Sequence, residues 1–145
     1  MAIRYATVAG NFSDAATWDG GASIPASGDY VYANGFSVAL DTDVNIGAGT
    51  LSTEVCPTTG IGGGSFPFTA NRNIIGNIKA GTSACITTTN LVSLTIVGNV
   101  YGGSGTATYG IQFRTATVNV TGNVYGGSGS NSHGLASTTY AGIVN

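Results

Sequence analysis

Side chains able to do acid–base or metal chemistry are few in this chain and unevenly placed. All six acids (Asp14, Asp19, Asp29, Asp41, Asp43 and Glu54) fall before residue 55. Glycoside hydrolysis ordinarily uses two carboxylates flanking the scissile bond, so a catalytic pair would have to come from that stretch. Asp29, Asp41 and Asp43 are the set that could hold calcium. Gly28-Asp29 and Asp41-Thr42-Asp43 read instead as turn residues, and no metal site is assigned. His133 lies in Ser130-Asn131-Ser132-His133-Gly134 with no acid nearby to orient it, so it reads as a surface residue rather than a general base. Ser104 and Ser128 sit in Gly-Gly-Ser-Gly segments that share the glycine content of phosphate-cradling loops. The following Lys and helix are missing, and the glycines are better assigned to tight corners. Cys56 and Cys85 read as two small buried hydrophobes, with a disulfide as the alternative. Two cysteines and a distant histidine do not make a zinc site. No catalytic residue, cofactor or metal is expected, and the chain reads as non-enzymatic.

The remaining side chains of interest are aromatic, and a repeat sets their positions. The octapeptide Gly98-Asn99-Val100-Tyr101-Gly102-Gly103-Ser104-Gly105 returns unchanged as residues 122–129, an offset of 24. Self-similarity at such a period marks a stacked fold, in which each unit needs neighbours to bury its apolar face. Tyr101 and Tyr125 are equivalent in the repeat and are expected to stack one above the other. Such a ladder either binds sugars by their apolar faces or stabilises the coils as an internal column. His133 takes the place of Tyr109 one unit later. Tyr101, Tyr125, Tyr109 and His133 are the candidate surface and glycan contacts.

Strands must carry these residues. Helical periodicity is nearly absent, while short β-branched and aromatic runs bounded by Gly, Asn, Asp or Pro occur throughout. Ile74-Ile75-Gly76-Asn77-Ile78, Ile96-Val97-Gly98-Asn99-Val100 and Val120-Thr121-Gly122-Asn123-Val124 share the pattern apolar-x-Gly-Asn-apolar. Alternation directs Leu94, Ile96 and Val100 to one side, over Val118, Val120 and Val124. Gly76-Asn77, Gly98-Asn99 and Gly122-Asn123 are expected at bends, because both residue types tolerate left-handed backbone angles. The expected fold is all-β, a right-handed parallel β-helix or β-solenoid with an irregular N-terminal β cap. A sandwich or barrel of repeated hairpins is the alternative and would need antiparallel pairing within each unit. Residues 1–70, which hold Trp18 and the three prolines, read as a cap or attachment module. It ends in a glycine-rich hinge at residues 60–64. Residues 71–145 read as coils. The last of them aligns Val118-Asn119-Val120-Thr121 with Gly142-Ile143-Val144-Asn145 and so stops mid-coil.

Composition narrows the function classes. Charged residues are 7% of the chain, against about 25% in a typical globular domain. With 42% hydrophobic residues, disorder is disfavoured. The net charge of −2 leaves no basic footprint for nucleic acid, and no apolar run approaches the roughly 20 residues of a membrane span. No secretory signal is evident at the N-terminus. Neither nucleic-acid binding nor membrane insertion is expected. A low-charge surface rich in Gly, Thr, Ser and Asn suits an extracellular assembly.

The segment Gly10-Asn11-Phe12-Ser13-Asp14-Ala15-Ala16-Thr17-Trp18, followed by Pro25-Ala26-Ser27-Gly28-Asp29 and Val38-Ala39-Leu40-Asp41, forms a further pattern. It resembles the start of parallel β-helix regions in bacteriophage tail-fibre and virion-surface proteins. It is also similar to the glycine-rich β-domain of cell-surface hyaluronidase-like proteins, whose activity resides with further domains and is not carried over. In such modules the Trp and Pro seal the first coil, which implies a capping role for Trp18 and Pro25. The resemblance implies a structural and adhesive virion component: a tail fibre, spike or capsid-surface fibre. It would assemble with copies of itself as a homotrimer, dock to other virion proteins through residues 1–70 and contact a cell-surface glycan. The alternatives are a β-helical polysaccharide-degrading enzyme and a bacterial surface adhesin or self-assembling extracellular filament subunit.

Overall fold

Runs in which every second residue is Val, Ile, Leu or Phe have one apolar and one polar face, and here they pair as strands. The computed structural model describes residues 1–62, 67–70, 72–88, 93–114, 117–137 and 143–144. In chain order the strands are β1 (Ile3–Tyr5), β2 (Gly10–Asn11), β3 (Tyr30–Tyr32), β4 (Val38–Leu40) and β5 (Val44–Ser52). They continue as β6 (Phe68–Ala70), β7 (Ile74–Lys79), β8 (Ile86–Thr87), β9 (Leu94–Val97) and β10 (Val100–Tyr101). The last are β11 (Tyr109–Phe113), β12 (Thr117–Thr121), β13 (Val124–Tyr125), β14 (His133–Ser137) and β15 (Ile143–Val144). The only helical element among the described residues is a 3-10 turn at Ala15–Thr17.

The chain alternates between two sheets. One runs β1-β3-β5-β7-β9-β12-β15, with β10 paired to β7 and β13 to β10; the other runs β2-β4-β6-β8-β11-β14. Among the described residues every strand pairing is parallel, which rules out the hairpin alternative. The molecule is a parallel β-solenoid of about 5 turns.

The inward residues form aliphatic ladders. Val31, Leu51, Ile78, Val100 and Val124 lie in register in the first sheet, as do Val44, Ile74, Ile96 and Val120. Val38, Phe68, Ile86, Ile111 and Leu135 line up in the second. Leu94 pairs with Val118 and Ile96 with Val120, as the repeat predicts. All but Val124 belong to or pack against a single core cluster, in which each fully buried Val, Leu, Ile or Phe contributes roughly 1.5–3 kcal/mol.

Strands β1 to β6, from residues 1–70, belong to the same two sheets as the later ones. The expected boundary at residue 70 therefore does not coincide with a break in the ladders. The irregularity lies in the connections. Along the column Tyr5, Tyr32, Ser52, Lys79, Tyr101, Tyr125 the step is 27 residues from Tyr5 to Tyr32 but 20 from Tyr32 to Ser52. A slip in β5 between Asn45 and Thr50 absorbs part of the mismatch. Cys56 and Ile61 close a turn through the Cys56 N–H and the Ile61 carbonyl; Gly63 and Gly64 of the proposed hinge lie outside the described residues.

The N-terminal end of the stack is closed by residues 6–18 folding back. Ala6 and Trp18 form an antiparallel bridge, and Asp14 caps the 3-10 turn through the Ala16 N–H. Trp18 is wholly buried, meets Phe12 edge-on at 5.4 Å and donates its indole N–H to the Phe12 carbonyl. Pro25 is buried as well. At the other end Val124 is 43% exposed. There β15 pairs Val118 with Val144, two residues later than the repeat places it.

Candidate functional site

The Gly-Asn pairs hold the corners between inward and outward columns, by two different means. Gly76, Gly98 and Gly122 have φ of 155°, 155° and 151°, a region that L side chains rarely adopt. A Cβ on Gly98 would collide with the Gly76 carbonyl, and one on Gly122 with the Gly98 carbonyl. The asparagines do not share this conformation. They act through their side chains instead: Asn99 N–H donates to Asn77 Oδ1 at 3.0 Å, and Asn123 N–H to Asn99 Oδ1 at 3.0 Å. A vertical amide ladder thus fastens together the three coils that carry these asparagines.

One residue on from the inward-stacked Val100 and Val124, of which only Val100 is buried, Tyr101 and Tyr125 point outward from the solenoid. Their rings stack with centroids 4.8 Å apart and planes within 7°. Tyr109 and His133, in register on the second sheet, are parallel within 5° at 6.2 Å. The structure thus makes two separate pairs, one on each sheet. Face-to-face stacking has a chemical cost, because each ring covers one face of the other. What the Tyr101–Tyr125 pair presents sideways is ring edges and hydroxyls.

A better-formed concavity lies beside this column. A cleft of about 440 Å³ is lined by Tyr32 of β3, by Glu54, Val55 and Pro57 after β5, by Gly81 and Thr82 after β7, and by Ser104 after β10. Glu54 is its only carboxylate, and it is held firmly. Lys79 Nζ lies 2.9 Å from Oε1, while Oε2 accepts the Tyr30 hydroxyl at 2.7 Å and the Ser52 hydroxyl at 3.3 Å. Tyr30 in turn stacks on Tyr32 at 4.9 Å. Burial first, and then its bond to the Glu54 carboxylate, pushes the Tyr30 hydroxyl pKa well above its ordinary value. The sequence shows Glu54 only as the last acid of the chain. Its partnership with Lys79 depends on Ser52 and Lys79 being in register, and no motif marks that pairing. Ser104, considered only for phosphate binding, lines the same cleft.

The aspartates weighed for calcium are distributed among turns. Asp29 accepts from the Ala2 and Ala26 amides and from Arg4 Nε at 3.4 Å. Burial works to raise its carboxyl pKa, but these three donors outweigh it and hold the group below the usual range. Arg4 also meets Asp19 at 2.8 Å. Asp41 accepts from the Ser13 hydroxyl and amide, which lower its pKa, and Asp43 accepts from the Asn73 amide. Among the described residues no three His, Cys, Asp or Glu side chains come together to hold a metal. Cys56 and Cys85 are free and buried. Burial raises the Cys85 pKa, and its Sγ contacts the Leu51 carbonyl at 3.3 Å. Among the described residues no helix is long and apolar enough to cross a membrane.

Compared with known proteins, the chain matches no family model, no curated protein and no solved structure.

Proposed function

We propose that this chain is a non-enzymatic structural and adhesive module of the virion-surface type. It would be part of a bacteriophage tail fibre, spike or capsid-surface fibre that projects from the particle and contributes to host attachment. The observation that carries this reading is the stack itself. Apolar ladders inside tie each coil to the next, and an amide ladder over three coils and a tyrosine pair over two reinforce them outside. A body so constructed resists bending, and it lengthens by about 4.8 Å for every coil added. That suits a spacer holding a contact surface away from a particle. The outward face, rich in Tyr, Asn, Thr and Ser, supplies hydroxyls and amides for such a contact with little net charge. The single carboxylate of the cleft, already bound by Lys79 and Tyr30, favours recognition over the two-carboxylate chemistry of glycan cleavage.

In this reading the chain works outside the cell, as a homotrimer docked through its N-terminal coils. The test is to measure the solution mass of the purified chain and its retention on particles and host cells. A trimeric mass with retention on both supports the proposal. A monomer that holds to neither overturns it.

A further inference from the structure

We infer that the cleft around Glu54 is a saccharide subsite taking one neutral pyranose unit of a surface glycan, a hexose or N-acetylhexosamine. The inference rests on the adhesive reading above and gives it a location. Size is the first argument: about 440 Å³ falls within the range of small-ligand pockets. Chemistry is the second. A pyranose has apolar C–H faces and a rim of hydroxyls. The cleft offers Val55 and Pro57 to the former, beside the buried Tyr32 that stacks on Tyr30, and Glu54, Thr82 and Ser104 to the latter.

Charge is the third argument, and it selects among sugars. Lys79 at 2.9 Å neutralises Glu54, so the cleft has no net charge with which to hold an acidic or a basic sugar. A carboxylate has about four acceptor positions. Lys79 takes one on Oε1, while Tyr30 and Ser52 take both on Oε2. One position on Oε1 remains for a sugar hydroxyl, and the three bonds already made fix its direction before a ligand arrives. The same bonds explain why Glu54 sits in the cleft at all. Lys79 stands in register with Tyr101, so a longer glycan leaving the cleft would meet the hydroxyl edges of the tyrosine column.

The experiment uses the full chain on an array of neutral, N-acetylated and acidic oligosaccharides, followed by titration of the best neutral ligand. Thr82→Trp fills the cleft from an exposed turn position and is expected to weaken binding by roughly tenfold or more, since one occluded contact surface is worth at least that much. Ser104→Ala, which leaves the coil intact, removes one hydrogen bond and is expected to weaken it about three- to tenfold. Gln112→Ala, on the second sheet, is expected to leave binding unchanged. Circular dichroism and melting temperature verify that each variant is folded.

Equal binding by the wild type, Ser104→Ala and Thr82→Trp overturns the inference. A preference for acidic glycans, or no glycan binding by a wild-type chain that still attaches to cells, overturns it too. Those outcomes leave the adhesive reading in place, whereas a wild-type chain that attaches to neither cells nor particles overturns both.

Discussion

At the scale of single residues, the corners of the coils are decided by what a side chain would strike. Gly98 combines a φ of 155° with a Cβ direction blocked by the Gly76 carbonyl. Gly98→Ala is expected to cost about 1–3 kcal/mol from backbone strain, and urea denaturation reads it as a lower midpoint. An unchanged midpoint would mean the corner is not built this way. Ionisation acts at the same scale. Tyr30 and Cys85 have folded pKa values above their ordinary ones. Their contribution to stability is present below the unfolded values, near 8.5 for Cys and near 10 for Tyr, and is lost as pH rises past them. Asp29 has the opposite sign: its folded pKa is lowered, so its share is lost as pH falls below about 4. Melting temperature should therefore decline on both the alkaline and the acid side. Tyr30→Phe should remove the part of the alkaline loss that sets in near pH 10.

At the scale of elements, the ladder and the end-closing turn make separate contributions. Asn99→Ala leaves the Asn123 N–H without its acceptor and should cost about 1 kcal/mol. Asn123→Ala should cost less, because no described residue donates to its side chain; equal losses in thermal unfolding would count against a directional ladder. Trp18→Ala opens a cavity where the indole seals the stack, at an expected cost of about 3–5 kcal/mol. A near-neutral result by calorimetry would show that the end is closed by something else. What could be read in the sequence follows the same division. The Ile96–Val120 pairing and the Tyr101–Tyr125 stack were legible because two consecutive units have equal length, so alignment in sequence became alignment in space. The meeting of Glu54 and Lys79 was not. It depends on steps of unequal length and on a slip within β5, and neither leaves a period to detect. The asparagines were placed correctly at the corners, but for the wrong reason. Their backbone is ordinary, and their amides do the fastening.

At the scale of the whole molecule, a solenoid should tolerate the loss of one complete unit. Deleting residues 98–121 joins Val97 to Gly122 and preserves inward–outward alternation. The shortened chain is expected to fold cooperatively with the same far-ultraviolet spectrum and to be about 4.8 Å shorter by small-angle scattering. A collapsed or aggregated product would indicate that the unit is not an independent layer.

The unequal steps from Tyr5 to Tyr32 and from Tyr32 to Ser52 have a consequence for how such a chain can change. The short stretches in register carry the core contacts from one layer to the next, while the segments bridging them differ in length. The rim of the molecule can therefore be rewritten, with loops grown, trimmed or exchanged, while the spine remains the same. A surface of that kind can keep pace with a shifting target without its bearer having to solve the folding problem again.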